Sequence, residues 1–448
     1  MDLTHNRSDG GSPVKNKQDE KSPERRAHLR TRMIHGHDRS RHWEYSHHVV
    51  PPITSSVTFR LDSVERGAKG FTDFTHETDA DANPVPIFIY DRLDEPTRGM
   101  LEENLASAEG GDTALCFASG MAAISGIVHC LLRSGDHIVT HHVLYGCTYS
   151  LFTNWLPQYG MDVTFVDMTD LNSVRAAIRP NTRIIYFETP INPDMTIIDM
   201  TAVRDIVAEC NRSRSESQKI RSIVDNTFAT PHCQRPIEFG MDIVCHSLTK
   251  GIGGFGTDVG GVVVVPNELH GRLLLYRKDF GGILSPKSAW ATLVYGLPSL
   301  AARMVNYQKT AHHVARFLSE HPKVERVLYP GLESFPQFAL AKRQMRDTKG
   351  RFSPGSMLYF VLKDATPEGR RGARFVDYVA RNAYSICLAV SLGQIKTLIE
   401  CPFHMTHSAL PPTEMARHGV VPGGIRLSCG LEDWEDIVAD LAEALDAI

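Results

Sequence analysis

The sequence has 448 residues, of which 42% are hydrophobic, and a formal net charge of -4. This length is too great for a single core and predicts two or three domains. The small net charge gives no electrostatic reason to expect nucleic acid or an anionic membrane surface as a partner. No apolar run approaches 18 residues, so we expect no transmembrane span.

The nine cysteines are scattered without C-x-x-C spacing, and their odd number argues against a disulfide framework. Residues 1–30 are polar, lack the apolar stretch of a signal peptide, and carry too many acidic residues for a typical transit peptide. We therefore expect a disordered tail over 1–30 and a cytoplasmic protein.

Residues 31–100 show little regular periodicity but contain several prolines, glycines and aromatics. A long irregular segment in an enzyme-sized chain is either disordered or docked, and its aromatic residues favour docking. We predict an N-terminal arm that contacts a neighbouring subunit.

From residue 110 to 265 the pattern alternates between strands and helices. Such alternation predicts an α/β fold with a large, mostly parallel sheet covered by helices on both faces. Ligands of such sheets bind beyond the carboxyl ends of the strands. The seven predicted strands are 114–117, 137–140, 163–166, 184–187, 223–224, 243–245 and 262–265, and the main predicted helices are 121–132, 170–179 and 202–211.

Lys250 lies where a predicted strand ends in a glycine-rich turn. Gly251, Gly253 and Gly256 match the spacing of a dinucleotide-binding fingerprint, but that motif must open a helix. Here the glycines lead into the predicted strand 262–265, so we interpret the match as accidental. The plainer alternative is a flexible loop with a surface lysine.

Other strand ends carry groups that suit a phosphate-bearing cofactor. Ser119-Gly120-Met121 follows the first strand and opens a helix, whose free N–H groups form an anion site. Asp225 follows a later strand, and Ser247 and Thr249 precede Lys250. A phosphate cradle, a carboxylate and a lysine are the groups that pyridoxal 5'-phosphate (PLP) requires.

The sequence resembles the PLP enzymes of cysteine and methionine metabolism, which include methionine γ-lyase, cystathionine γ-lyase, cystathionine γ-synthase and the sulfhydrylases. The resemblance covers roughly residues 32–448 and implies the fold type I of aspartate aminotransferase. It implies a PLP-binding domain over 101–300 and a smaller α+β domain over 301–448. The motifs that carry it are Tyr90-Asp91-Arg92-Leu93, Ser119-Gly120-Met121, Leu144-Tyr145-Gly146-Cys147, Glu188-Thr189-Pro190, Asn192-Pro193, Val224-Asp225-Asn226-Thr227, Ser247-Leu248-Thr249-Lys250, Ser391-Leu392-Gly393 and Ile425-Arg426-Leu427-Ser428.

The resemblance also implies a role for each matching residue. Lys250 should hold the cofactor through an imine and shuttle protons, and Tyr145 should stack on the ring and act as acid and base. A nearby cationic imine is expected to favour the Tyr145 phenolate. The other expected cofactor ligands are Asp225 at the ring nitrogen and, around the phosphate, Ser119, Gly120, Met121, Ser247, Thr249 and, from the adjacent subunit, Tyr90 and Arg92. Arg426 should clamp the substrate carboxylate, with Ser391, Asn192 and Cys147 nearby.

Each of these residues has an ordinary structural alternative. Tyr145 could be a core tyrosine, Asp225 a turn residue, Arg426 part of a surface ion pair, and Cys147 a buried inert thiol. The histidine pairs at 47–48, 141–142 and 312–313 lack a companion ligand pattern, so we expect no metal site.

Two positions depart from the family pattern. Relatives commonly have an aromatic residue after the lysine and a histidine in the glycine turn, whereas this chain has Gly251 and Phe255. The loop Gly256-Thr257-Asp258 is spaced more like that of the sulfhydrylases, whereas the region around Met405-Thr406-His407-Ser408 resembles the lyases. These differences leave the substrate open.

The resemblance implies a homo-oligomer, with a dimer of dimers expected, that acts at Cγ of an L-amino acid. We predict a lyase that eliminates a γ-substituent, from a methionine, cystathionine or homocysteine type of substrate or from a γ-oxygen analogue such as canavanine. The alternative is a γ-replacement enzyme, such as cystathionine γ-synthase or an O-acylhomoserine sulfhydrylase. A non-catalytic PLP-binding protein is the third hypothesis.

Overall fold

The computed structural model describes residues 27–36, 49–73, 87–363, 368–406, 415 and 420–448. Most of the predicted tail, parts of the predicted arm and the segment from His407 to Glu414 therefore lie outside the described residues. Among the helices that are described, none combines the length and apolar character that a membrane crossing requires.

The first part of the chain forms a seven-stranded sheet with the order β1-β7-β6-β5-β4-β2-β3. β7 runs antiparallel to both of its neighbours, and the other four neighbouring pairs are parallel. All seven predicted strands are present, and the prediction of a mostly parallel sheet is confirmed. The strands are β1 (Thr113–Phe117), β2 (His137–His141), β3 (Asp162–Val166), β4 (Thr182–Glu188), β5 (Arg221–Asp225), β6 (Ile243–Ser247) and β7 (Gly261–Val265).

Helices precede, connect and follow these strands. The three helices predicted between strands are present, with ends shifted by at most two residues. The α-helices are α1 (Leu29–His35), α2 (Val64–Asp73), α3 (Pro96–Glu109), α4 (Gly120–Leu131), α5 (Gly146–Ser150), α6 (Leu171–Ala177), α7 (Met200–Asn211), α8 (Thr230–Cys233), α9 (Asn267–Phe280) and α10 (Pro286–Ala291). Two π-helical segments (Leu151–Trp155 and Thr292–Gly296) and three 3₁₀ turns (Leu156–Tyr159, Glu216–Gln218 and Pro236–Phe239) complete this part.

The run of valines in β7 illustrates why a sheet covered on both faces needs continuous apolar sequence. Successive side chains of a strand point to opposite faces. Val263 and Val265 accordingly pack in one core cluster with α4, whereas Val262 and Val264 pack in another with the long helices. All four are buried.

The carboxy-terminal part builds a second sheet with the order β10-β11-β12-β9-β8. It begins after the 24-residue helix α11 (Leu297–Glu320). The apolar run at 355–361 predicts a strand and the amphipathic pattern at 434–447 predicts a closing helix, and both elements are present. The elements are β8 (Val324–Leu328), α12 (Phe338–Gln344), β9 (Met357–Leu362), α13 (Arg370–Asn382), β10 (Ile386–Leu388), β11 (Thr397–Glu400), β12 (Gly424–Ser428) and α14 (Trp434–Asp446).

Helix α11 joins the two cores. Leu300 and Met304 in its first half pack in the core cluster beneath the large sheet, and Val314 and Leu318 in its second half pack in the core of the small sheet. The helix continues without a break across residue 300, where the sequence predicts the domain boundary. That boundary stays a prediction.

A buried ion pair fixes the end of β1 that leads into the predicted phosphate site. Arg277 donates to the carboxylate of Glu102 and to the Cys116 carbonyl oxygen at 3.0 Å. Glu102 in turn accepts from the Cys116 N–H at 2.7 Å. Arg277 is fully buried and Glu102 is 6% exposed. The pair therefore binds both the N–H and the carbonyl oxygen of one residue of β1.

We predict that Glu102→Ala destabilises the protein by about 3–5 kcal/mol, because it leaves a buried guanidinium without its carboxylate. The measurement is the denaturant midpoint of unfolding. Glu320→Ala is the matched control, since Glu320 pairs with Arg316 one helical turn away on the surface. The control should lose no more than about 0.5 kcal/mol. Equal losses in the two variants would contradict the assignment.

Candidate active site

The predicted site lies at the carboxyl edge of the large sheet. Asp225 is the last residue of β5, and Ser247 is the last residue of β6. Because β7 is antiparallel to both β1 and β6, the ends of β1 and β6 lie at the same edge. Ser119, two residues after β1, therefore comes to the edge where Asp225 and Ser247 lie.

Ser119 and Gly120 form a close backbone contact with the end of β6. A Cβ at Gly120 would lie 3.0 Å from Ser247 Cβ, so only glycine fits without displacement. Ser119 caps α4 by accepting from the Ala122 N–H at 3.1 Å. The N–H groups of Gly120 and Met121 have no intrahelical partner in the first turn of a helix. These N–H groups, together with the Ser247 hydroxyl, fit an anion such as a phosphate.

A threonine that the sequence analysis gave no role links two predicted cofactor ligands. The Thr227 N–H donates to Asp225 Oδ1 at 2.9 Å, and the Thr227 hydroxyl oxygen accepts from the Ser247 N–H at 2.9 Å. Burial raises the pKa of Asp225, while hydrogen bonds from Thr227 and the nearby His246 oppose that rise. Asp225 is thus held in a fixed turn geometry, and its role at the cofactor ring stays a prediction.

Lys250 follows β6 in a turn, and its N–H donates to the Ser247 carbonyl oxygen at 3.3 Å. Its Nζ donates to Ser391 Oγ at 2.5 Å. Burial lowers the pKa of Lys250, Arg426 lowers it further, and Glu400 opposes both. A lysine with a lowered pKa has a larger neutral fraction and is a better nucleophile and base. The alternative of a surface lysine on a flexible loop is wrong for this structure.

The glycine turn after Lys250 opens no helix. The Gly254 N–H donates to the Lys250 carbonyl oxygen at 2.8 Å, and the chain then enters β7. The interpretation of the dinucleotide fingerprint as accidental is therefore confirmed. Gly254 and Gly256 adopt positive φ angles of 77° and 71°, which explains glycine at these two positions.

A buried arginine on α11 braces this turn. Arg303 donates to the carbonyl oxygens of Gly251 at 2.7 Å and Ile252 at 3.0 Å. It also donates to the Gly296 carbonyl oxygen at 2.7 Å. Its guanidinium carbon lies 5.5 Å from the ring centroid of Phe255, within the range of a cation–π contact. One of the two unusual residues, Phe255, therefore covers the arginine that fixes the lysine turn.

The other unusual residue, Gly251, lies in a crowded junction. A Cβ at Gly251 would meet Thr230 Cγ2 at 2.8 Å. From the small domain, Gly393 approaches so closely that a Cβ there would lie 2.5 Å from the Gly251 nitrogen. A side chain at Gly251 would therefore require Thr230 to move.

Arg426 in β12 reaches the same place from the small domain. It donates to Asn192 Oδ1 at 3.0 Å and to the Ser391 carbonyl oxygen at 2.8 Å, and it pairs with Glu400 at 3.1 Å. Arg426 and Glu400 are 4% and 1% exposed, so the alternative of a surface ion pair is wrong. Ser391 contacts Lys250 with its hydroxyl and Arg426 with its carbonyl. The predicted substrate residues Asn192, Ser391 and Arg426 are thus brought together.

Tyr145 and Cys147 form a pair beside Glu188, whose Oε1 accepts from the Tyr145 N–H at 2.8 Å. Cys147 Sγ lies 3.5 Å from Tyr145 Oη. The thiol is exposed, so the alternative of a buried inert cysteine is wrong. The hydrogen bond with Cys147, burial and the nearby Glu188 raise the pKa of Tyr145 to about 12. The sequence predicts a phenolate favoured by a cationic imine, whereas the protein groups around Tyr145 favour the neutral phenol.

The predicted phosphate ligands Tyr90 and Arg92 have their described contacts elsewhere in the chain. Tyr90 pairs with Thr58 in an isolated β-bridge, and the Arg92 guanidinium lies over the Tyr90 ring. Arg92 also donates to the carbonyl oxygen of Lys278, near the end of α9. These contacts do not bring the two residues to Lys250 within one chain, so their role stays a prediction that requires a second subunit.

One histidine pair has a companion that the sequence analysis did not find. Asp167 lies near His141 and His142, and one candidate ligand atom from each residue falls within 4.8 Å of the others. His141 Nδ1, however, accepts from the Met168 N–H at 3.0 Å. His313 of another pair stacks on Trp434, with centroids 4.3 Å apart. Residues 47–48 lie outside the described residues.

The site thus contains four residues to which the sequence analysis gave no role. Glu188 ends β4 and Thr227 follows β5, so both carried the same strand-end signal that identified Asp225. Arg303 lies in helix α11 and Glu400 lies in strand β11 of the small sheet. The local sequence pattern of these elements does not indicate a functional residue. Only tertiary packing brings them to the lysine turn and to Arg426.

Comparisons with known proteins agree with this geometry. Residues 30–446 match the family described as Cys/Met metabolism PLP-dependent enzyme. The chain is 40% identical over 400 residues to L-methionine gamma-lyase of Fusobacterium nucleatum subsp. polymorphum, covering 89% of this chain and 93% of that protein. It is 39% identical over 362 residues to cystathionine gamma-lyase of Bacillus subtilis (strain 168), covering 81% of this chain and 89% of that protein.

A solved structure extends the likeness to three dimensions. Cystathionine gamma-lyase from Lactobacillus plantarum, complexed with L-serine, superposes with a TM-score of 0.79 at 34% identity. The match covers 94% of this chain and 99% of that chain. The predicted fold class and cofactor are confirmed. The chain belongs to the family of Cys/Met metabolism PLP-dependent enzymes.

Proposed function

We propose that the protein is a PLP-dependent lyase that eliminates the γ-substituent of an L-amino acid of the methionine, cystathionine or homocysteine type. The observation that carries the proposal is the meeting of three groups from two domains. Lys250 Nζ donates to Ser391 Oγ, and the Ser391 carbonyl oxygen accepts from Arg426. Ser391 thus contacts both Lys250, the proposed proton-transfer group, and Arg426, the proposed carboxylate-binding group. Relatives named as methionine and cystathionine gamma-lyases support the reaction type.

PLP, when bound, withdraws electrons from the substrate and makes the protons at Cα and Cβ acidic. Gly120 and Met121 would bind its phosphate through their N–H groups, with help from the hydroxyl groups of Ser119, Ser247 and Thr249. Asp225 would hold the proton on the ring nitrogen, and Tyr145 would cover one ring face.

Lys250 is the proposed base and acid at Cα and Cβ. Burial and Arg426 lower the pKa of Lys250, so more of its amine is neutral and able to accept a proton. Ser391 fixes the position of Nζ through its hydroxyl. Tyr145 is the proposed acid for the leaving group, because a phenol with a pKa of about 12 keeps its proton at neutral pH and can donate it to the departing sulfur.

Arg426 is the proposed clamp for the substrate α-carboxylate. A guanidinium has five N–H donors, and the described contacts of Arg426 use only its terminal nitrogens. Asn192, Glu400 and the Ser391 carbonyl hold its plane in place. Glu400 also partly balances its charge, so the clamp is rigid before substrate arrives.

A cytoplasmic location and a homo-oligomer, as a dimer of dimers, are further parts of the proposal. All nine cysteines are free, which suits a reducing compartment. Arg92 is exposed within one chain, and a second subunit would supply the partner that the sequence predicts for it. Cross-linking and light scattering would measure the assembly.

The proposed reaction is tested with methionine, cystathionine, homocysteine, canavanine and O-acylhomoserines. We expect ammonia and a 2-oxo acid to form from at least one of these without an added thiol. Lys250→Ala should abolish both products and the covalent attachment of PLP, mapped by borohydride reduction and peptide mass spectrometry. A replacement product that requires a thiol, with no oxo acid in its absence, would establish the γ-replacement alternative. Wild-type protein that binds no PLP would contradict both the lyase proposal and the γ-replacement alternative.

We predict that Arg426→Lys lowers kcat/KM about 10- to 150-fold, because a hydrogen bond to a charged group contributes about 1.5–3 kcal/mol. Lysine keeps the charge but loses the planar pair of donors. Steady-state kinetics with the preferred substrate measure the effect. Arg326→Lys, on the exposed face of β8, is the control and should leave the kinetics unchanged. An Arg426→Lys enzyme with unchanged kcat/KM would remove Arg426 from substrate binding.

Two substitutions of Ser391 separate the effect of its hydrogen bond to Lys250 from the effect of its backbone strain. Its φ angle of 87° is unfavourable for any residue with a Cβ. Both Ser391→Ala and Ser391→Gly remove the hydroxyl that holds Lys250, so we expect similar losses of kcat. Only Ser391→Gly relieves the strain, and its unfolding free energy should exceed that of Ser391→Ala by about 1 kcal/mol. Equal stabilities would show that the strain is released elsewhere.

A further inference from the structure

Glu188 is a buried acid at the carboxyl edge of the large sheet. It is the last residue of β4 and is paired in parallel register with Asp225 of β5. Its side chain is buried, and Oε1 accepts from the Tyr145 N–H at 2.8 Å. Glu188 therefore lies between the residue proposed to hold the ring nitrogen and the residue proposed to cover the ring.

The strand geometry forces two carboxyl groups close together. Neighbouring strands lie about 4.8 Å apart, and Glu188 and Asp225 occupy the ends of two such neighbours. Two like charges buried side by side on neighbouring strands oppose each other's ionisation. Burial raises the pKa of Glu188 to about 8, and Asp225 contributes to the rise.

The surroundings of the two carboxyl groups differ, and the difference decides which one keeps the proton. Asp225 is stabilised as an anion by Thr227 and by His246, which pairs with Glu109 at 2.5 Å. In the part of the chain that the structure describes, the Tyr145 N–H is the one group that stabilises Glu188 as an anion. Among the described residues, the phenol of Tyr186 faces both acids, and burial and the two acids raise its pKa. The Tyr145 phenol lies near Glu188, and the Cys245 thiol lies near Asp225. The negative charge therefore belongs on Asp225.

We propose that Glu188 is a positioning residue that acts as a neutral carboxylic acid, holding the Tyr145 backbone while leaving the single negative charge of the strand pair on Asp225. This inference rests on the proposed function, because Asp225 and Tyr145 take their roles from it. The neutral acid has two effects. Its carbonyl oxygen anchors the start of α5, and its lack of charge lets Asp225 ionise.

The first experiment compares Glu188→Gln with Glu188→Ala. Glutamine keeps a neutral acceptor of the same length, so it should recover most of the activity that alanine loses. Alanine removes the anchor, and we expect a loss of about 10²-fold in kcat with a smaller change in KM, since Tyr145 would be misplaced. If glutamine fails as alanine does, or if alanine retains full activity, Glu188 is not a neutral anchor.

The second experiment measures the protonation of Glu188 without reference to activity. A carboxyl group with a raised pKa binds its proton in the folded state at a pH where the unfolded chain has lost it, so its effect is to make stability fall as pH rises. Glu188→Gln removes this effect. We therefore compare the unfolding temperature of Glu188→Gln with that of wild type at each pH. The difference should increase from about pH 5 and become constant above pH 8.

Glu320→Gln, at an exposed position on α11, is the matched control and should show no difference that changes with pH. A pH-independent difference for Glu188→Gln would mean that Glu188 ionises normally in the folded protein, and this would overturn the inference. The stability result is independent of catalysis. If no substrate is turned over but the pH dependence appears, the proposed reaction fails while the neutral state of Glu188 stands.

Discussion

The structure depends on the contact between Lys250 of the large domain and Ser391 of the small domain. This contact connects an amine at the end of a strand with an arginine on the opposite sheet, and each domain contributes half of the site. It requires the two backbones to meet with almost no space between them. Gly251 and Gly393 meet that requirement, since a Cβ at either position would overlap a neighbour. Glycine is thus required at both positions because the two domains must meet closely to form one site.

Buried ionisable side chains near this contact are paired with one another. Arg426 pairs with Glu400, and His246 pairs with Glu109. Arg303 is different, because its described hydrogen bonds run to carbonyl oxygens and a serine hydroxyl. Partial charges of three peptide groups stabilise it while it holds their positions. A buried cation that binds backbone in this way specifies the shape of a loop more strictly than one that binds a flexible side chain.

The sequence predicted the seven strands of the large sheet and the family, because continuous apolar runs and strand-end residues are local signals. It placed Asp225, Ser247 and Lys250 at one edge for the same reason. It could not place Arg303 or Glu400, whose importance arises from tertiary contacts across domains. It could not show that Cys147 and Glu188 raise the pKa of Tyr145, because these two residues act through contacts that spacing alone does not show. Departures at Gly251 and Phe255 were visible in the sequence, but their physical reasons required the packing around Thr230 and Arg303.

Helix α11 has a consequence for how the protein can be divided. Its first half completes the apolar core under the large sheet, and its second half completes the core of the small sheet. A cut at the predicted boundary near residue 300 would therefore leave each piece with an exposed apolar surface. The large and small domains are expected to unfold in one cooperative transition in calorimetry. They are expected to aggregate when expressed separately. The shared helix makes folding of either half depend on the presence of the other.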